Sequence, residues 1–270
     1  MKKVVRFVVC ALFFIVAPSI VVSASAQSPL DGTWRTLLNQ TKFSPKPLAS
    51  YLSQGWYHCV SCNPSFDVQA DGQDHPVTGR SYDTISVHEA DAKSIEITTK
   101  KAGTTISEQT RTVSADGKTM TVKTTFHPAN GGAVVTSEAK ATRVGLAPAA
   151  INPTSGSWRI ASVQQSDNGL LVTFKTNGDE ITMTEPTGET YTAKFDGVEN
   201  PVKGSYGYDT VSLKRLGDRS FEETDKLKGK VVEIDTWTVA SDGKTMTVVA
   251  VDKPSDRKST DVLTKVPEKK

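Results

Sequence analysis

The chain has 270 residues, with 32 Lys and Arg set against 30 Asp and Glu, and neither half is strongly basic: 12 basic against 11 acidic residues in 27–150, and 17 against 19 in 151–270. That balance excludes the basic footprint needed to neutralise nucleic-acid phosphates, so no nucleic-acid partner is expected. The length suits one large or two small domains, each able to bury a modest core.

Lys2, Lys3 and Arg6 lead into an apolar run from Phe7 to Val22 that ends at Ala24-Ser25-Ala26. This is the pattern of a secretory signal peptide with a small-residue cleavage site, expected over residues 1–26. The run also approaches the ~20 residues that span a bilayer, but Pro18 and the Ala-Ser-Ala ending favour cleavage. Cys10 lies inside the run and not after it, which argues against lipid attachment. The expectation is a periplasmic or secreted protein with no membrane anchor after cleavage. The Lys269-Lys270 ending is too short to act as a polybasic membrane tail.

Beyond residue 26 the chain repeats itself. Thr112-Val-Ser-Ala-Asp-Gly-Lys-Thr-Met-Thr-Val122 returns 126 positions later as Thr238-Val-Ala-Ser-Asp-Gly-Lys-Thr-Met-Thr-Val248, with nine of eleven positions identical. Tyr82-Asp83-Thr84 returns as Tyr208-Asp209-Thr210, and Gly32-Thr33-Trp34 as Gly156-Ser157-Trp158. The near-constant offset marks a tandem duplication. The expected units are a first repeat over 27–143, an Ala- and Pro-rich linker over 144–155, and a second repeat over 156–270.

Each copy shows apolar residues at period two, with much Thr, Val, Ile and Tyr, the signature of half-buried strands. Ile85 and Val87 alternate with Ser86 and His88, and Met120, Val122, Thr124 and Phe126 share one face. Asp116-Gly117 and Asp242-Gly243 read as type I′ hairpin turns, and Asn177-Gly178 and Asp196-Gly197 as further turns. In the second copy strands are predicted near Trp158, Leu170, Ile181, Tyr191, Val211, Phe221, Val231, Met246 and Val262. No segment has a capped helical period. The fold class expected is all-β: two tandem antiparallel up-and-down barrels, with a sandwich as the alternative.

Gly32-Thr33-Trp34 and Gly156-Ser157-Trp158, each opening a small β meander, resemble the G-x-W of the calycin group, especially the lipocalins. The resemblance implies an eight-stranded barrel with Trp34 and Trp158 at the closed ends. With Thr41-Lys-Phe-Ser-Pro45 and the Tyr-Asp-Thr and Asp-Gly-Lys-Thr blocks, the chain further resembles exported bacterial proteins described as lipocalin-like, which carry no established activity.

The first copy departs from the second at Trp56-Tyr-His-Cys-Val-Ser-Cys-Asn-Pro64, which holds the only cysteines beyond residue 26, and all four histidines also lie in that copy. In an oxidising compartment Cys59 and Cys62 read first as a local disulfide. The competing readings are a metal site from His58, Cys59, Cys62 and His75, and a thioredoxin-like redox pair. Covalent haem needs a His where Asn63 stands. Asp74 with His75, and Glu222 with Glu223, read as solvated surface and not as acid/base pairs, because neighbouring strand residues face opposite ways.

No catalytic motif is present, and neither a catalytic residue nor a cofactor is expected. The leading expectation is an exported non-catalytic binding protein for a small apolar or amphipathic ligand, since a barrel of about eight strands is just wide enough to hold one. The alternatives are a structural or interaction protein of the cell envelope with solid cores and a protein partner, or a metal or redox role at Cys59 and Cys62. Small or polar inward side chains would signal a cavity; inward Trp, Phe, Met and Leu would signal a filled core.

Overall fold

The computed structural model describes residues 28–145 and 151–267; the expected signal peptide and the centre of the expected linker lie outside them. The first copy forms β1 (Gly32–Thr36), β2 (Leu48–Ser53), β3 (Trp56–Cys59), β4 (Phe66–Gln69), β5 (His75–Pro76), β6 (Thr84–Asp91), β7 (Ser94–Lys101), β8 (Thr104–Val113), β9 (Thr119–Phe126) and β10 (Val135–Val144). The second forms β11 (Gly156–Gln165), β12 (Leu171–Asn177), β13 (Glu180–Thr184), β14 (Thr190–Lys194), β15 (Asn200–Pro201), β16 (Thr210–Gly217), β17 (Ser220–Leu227), β18 (Lys230–Val239), β19 (Thr245–Asp252) and β20 (Arg257–Lys265). Helix among the described residues is confined to two short turns, Leu38–Gln40 and Asp167–Gly169. The strands make two antiparallel ten-stranded sheets, each curled into a nearly closed barrel, so the barrel expectation holds over the sandwich.

Sheet membership does not follow the repeat boundary. The second copy's first strand, β11, pairs with β10 and β2 of the first copy, and β1 pairs with β12 and β20 of the second. The two copies have therefore exchanged their opening strands. The expected linker 144–155 accordingly joins β10 to β11 as the loop of a hairpin within the first barrel. Arg143 ties that loop down by donating to Pro153 O at 2.6 Å, Ser155 O at 2.7 Å and Gly117 O at 2.7 Å. The physical reason is local: strands adjacent in sequence pair most readily. β11 occupies in the first sheet the place that β1 occupies in the second.

The duplicated Trp residues keep the same register in their exchanged positions. Trp34 stands opposite Val172, and Trp158 opposite Leu48. Each indole Nε1 donates at 2.9 Å to the carbonyl four residues upstream, Leu30 for Trp34 and Thr154 for Trp158. Both are buried in a core, each in the barrel built mainly by the other copy.

The turn chemistry also needs one correction. Type I′ geometry requires positive φ at both central residues, yet at Asp116-Gly117 and Asp242-Gly243 only the glycines, at φ 70° and 67°, have it. Gly117 N–H donates to Ser114 O and Gly243 N–H to Ala240 O, so each loop is a turn closed by a left-handed glycine. Paired positive φ occurs instead at Gln54-Gly55, Ala102-Gly103 and Lys228-Gly229, in two-residue loops between adjacent strands.

The second barrel seals its seam with a ladder step, Thr190 and Lys203 exchanging N–H···O bonds of 2.9 Å. In the first barrel Arg80 bridges the equivalent region, donating to Pro64 O and lying 4.4 Å over the Phe66 ring.

Candidate functional site

Equivalent inward positions carry different residues in the two barrels, and the difference decides where each is open. In the second, Phe174, Phe221 and Trp237 meet at centroid distances of 5.2–5.9 Å, and Phe195 packs 5.6 Å from Phe221. At the matching places the first copy has Ser50, Ile95, Arg111 and Ala70. The second core is accordingly one continuous cluster around that aromatic group. The first is split into a cluster around Tyr57, Val87 and Ile95 and a smaller one around Met120 and Trp158.

Between these two clusters lies a cavity of about 540 Å³, within the ~300–1,000 Å³ usual for small-molecule sites. Tyr57, Met120, Val122 and Trp158 contribute to its walls, and Pro254, Ser255 and Arg257 of the second copy reach over its mouth. Inside it, Arg111 Nη1 donates to Ser50 Oγ at 3.3 Å and Tyr57 Oη at 3.2 Å, and Nε donates to Gln109 Oε1 at 2.6 Å. These acceptors are neutral, and among the described residues no carboxylate lies within ion-pair distance of Arg111. Arg80 and Arg257 also line the cavity, where the single carboxylate is Asp252, already bonded to Ser255 N and Oγ. The cavity thus combines apolar walls with a positive interior.

The second barrel has the opposite character away from its aromatic centre. On β17, Phe221, Glu223 and Asp225 alternate inward; across from them on β18, Asp235 opposes Glu223, and Glu233 opposes Asp225. Like charges directly opposed across strands repel, and burial penalises the charged form further. Burial, then Asp225 and Asp235, hold the Glu223 carboxyl well above the ordinary range. Asp225 is pushed up to about 8 by burial and Glu233, and Asp235 to about 9 by burial, Glu233 and Asp225. Glu185 nearby rises to about 7 through burial and Glu189. Tyr191 Oη donates to Glu223 Oε2 at 2.9 Å, and burial raises this phenol as well.

Beside these carboxyls is a cavity of about 280 Å³ bordered by Val172, Met183, Trp237 and Leu263. No Lys, Arg or His is among its lining residues. Asp225 Oδ1, Asp235 Oδ1 and Trp237 Nε1 are all buried there without a hydrogen-bond partner.

The residues singled out from sequence are placed as follows. Cys59 and Cys62 form a disulfide, with Cα atoms 5.4 Å apart, at the wall of the larger cavity. His58 Nδ1 lies 2.7 Å from Asp67 Oδ1, and His75 Nε2 lies 2.8 Å from Asp71 Oδ1. The structure does not bring His58, Cys59, Cys62 and His75 together as ligands: no group of three or more His, Cys, Asp or Glu among the described residues is placed to hold a metal ion. Gly32 and Gly156 share φ values of 119° and 122° before their Trp residues. Asp74 accepts from Lys100 at 2.7 Å on the surface, as expected. Glu223, expected to be solvated, is instead only 3% exposed, because it follows Phe221 on the inward face.

Sequence reasoning missed Arg111 and the buried carboxyls. A signal existed: Ile97, Thr99, Ser107 and Gln109 are replaced, 126 positions on, by Glu223, Asp225, Glu233 and Asp235. Comparing the copies strand by strand reveals that four neutral inward residues have become acidic.

No protein-family model matches the chain, and no curated protein matches it in sequence.

Proposed function

We propose that this is an extracytoplasmic binding protein whose first barrel takes one small amphipathic ligand with an anionic end. The observation that carries the reading is the 540 Å³ cavity with Arg111 inside it, bonded only to neutral oxygens. An acyl or ring portion would lie against Met120, Val122 and Trp158, and its anionic group would gain a charge-assisted hydrogen bond from the guanidinium. Export, expected from residues 1–26, accords with the Cys59–Cys62 disulfide. The aromatic centre of the second barrel supports a scaffolding contribution from that half, since its strands and loops help frame the cavity mouth.

Calorimetric titration of the protein with decanoate and with decanol tests the reading. Decanoate is expected to bind saturably, and Arg111→Met to weaken it at least tenfold, in line with the ~1.5–3 kcal/mol of a hydrogen bond to a charged group. Equal binding of decanol, or of decanoate by the variant, would remove the anionic part of the proposal. No saturable binding of either would remove the ligand itself.

A further inference from the structure

The second barrel has a separate acid-lined cavity that the first does not duplicate. We propose that its carboxylate-lined cavity takes a small aliphatic ammonium ion. The lining is acidic with no base to balance it: Glu185, Glu223, Asp225, Glu233, Asp235 and Asp261 line the cavity, no basic residue does, and an entering cation favours the ionised form of carboxyls that burial keeps protonated. Two buried acceptors beside the cavity also point to a ligand. Asp225 is only 5% exposed and lines this cavity, and its buried Oδ1 has no hydrogen-bond partner; Asp235, also in the lining, has an unpartnered buried Oδ1 as well. Buried acceptors left unmet are costly and uncommon, and here two occur with a cavity beside them. A primary ammonium group carries three donors, enough to serve both oxygens at once.

The remaining wall selects among cations. Val172, Met183 and Leu263 are buried apolar residues, and the Trp237 ring adds an aromatic surface of the kind that attracts a cation. A short alkyl chain fits this wall, whereas a divalent ion needs several converging oxygens. No group of metal-holding geometry occurs among the described residues. The volume of about 280 Å³ restricts the guest to a few carbons. In the first copy the four core positions of this site are Ile97, Thr99, Ser107 and Gln109, so the site belongs to the second copy alone.

The experiment is calorimetric titration of the full chain with n-butylammonium chloride, n-butanol and calcium chloride in parallel. Saturable binding of butylammonium is expected, with no saturable heat from butanol or calcium. Asp225→Asn and Asp235→Asn should each weaken butylammonium at least tenfold and leave decanoate affinity unchanged, which separates this site from the first barrel's. If either variant fails to fold, the indole N–H resonance of Trp237 in the unaltered protein, assigned through Trp237→Phe, supplies the second readout. It should shift on adding butylammonium and stay fixed on adding butanol. Absence of butylammonium binding, butanol binding as tight as the amine, or calcium binding in its place would each overturn the proposal. So would unchanged affinity in both folded variants.

Discussion

Arg111 and Trp237 hold the same register position in the two barrels. Arg111 stands between Ile95 and Val122 on its neighbouring strands, and Trp237 between Phe221 and Val248. One duplicated scaffold therefore presents a guanidinium to one interior and an indole to the other. Moving the second barrel's aromatic residues into the first, as Ser50→Phe with Arg111→Trp, should fill the cavity and abolish decanoate binding. Calorimetry checks this, with circular dichroism to show that the strands remain; retained binding would mean that the ligand lies elsewhere.

The buried carboxyls make a pH prediction of definite sign. Each holds its proton more tightly folded than unfolded, so the native state binds more protons between the ordinary carboxyl values of 3.8 to 4.5 and the raised ones. Stability associated with these groups is complete below about pH 4 and is lost as pH rises through about 7 for Glu185, 8 for Asp225 and 9 for Asp235. The melting temperature should fall between pH 5.5 and pH 9, and Glu223→Gln with Asp235→Asn should flatten the fall. A melting temperature that rises over this range would contradict the assignment.

Strand exchange predicts how the chain responds to cutting. After cleavage at a protease site inserted between residues 145 and 151, the two pieces should elute together in size-exclusion chromatography, because β1 remains in the second sheet and β11 in the first. Separation without denaturant would show that each copy closes on its own opening strand.

Gly243 isolates a backbone effect. Its φ is 67° and an added Cβ would meet nothing within 4 Å, so packing does not enter. Gly243→Val should cost about 1 kcal/mol or more in chemical denaturation, since a β-branched residue resists positive φ. An unchanged midpoint would place this loop in another conformation.

For the disulfide, the intact protein should show a mass lower by two hydrogens than the dithiol form. Cys59→Ser with Cys62→Ser should cost about 2 kcal/mol or less, because the loop closed is so short. A far larger loss would give Cys59 and Cys62 a role beyond local bracing.

The repeat and the strand alternation were legible because both are carried by local sequence: period two needs only neighbours, and the Asp-Gly-Lys-Thr blocks align themselves. Exchange of β1 and β11 was not, since duplicated strands have nearly the same faces and either fits either slot. Glu223 was misplaced because an acidic residue beside Glu222 reads as surface until Phe221 and Asp225 are seen to share its face. Arg111 was hidden for a related reason: its strand neighbours Thr110 and Thr112 give no apolar contrast to mark which way it points.

The pairing of β1 with β20 brings the first and last strands side by side, Trp34 opposite Lys265 and Val266 N–H donating to Thr33 O at 2.8 Å. This is the counterpart of the β10–β11 hairpin, without a covalent loop. Topologically the described chain is a ring of two units opened at one of two matching hairpins. A circular permutant that begins near residue 151, with residue 267 joined to residue 28 by a short loop, would keep every strand beside its present neighbours. The covalent break would simply pass from one barrel to the other.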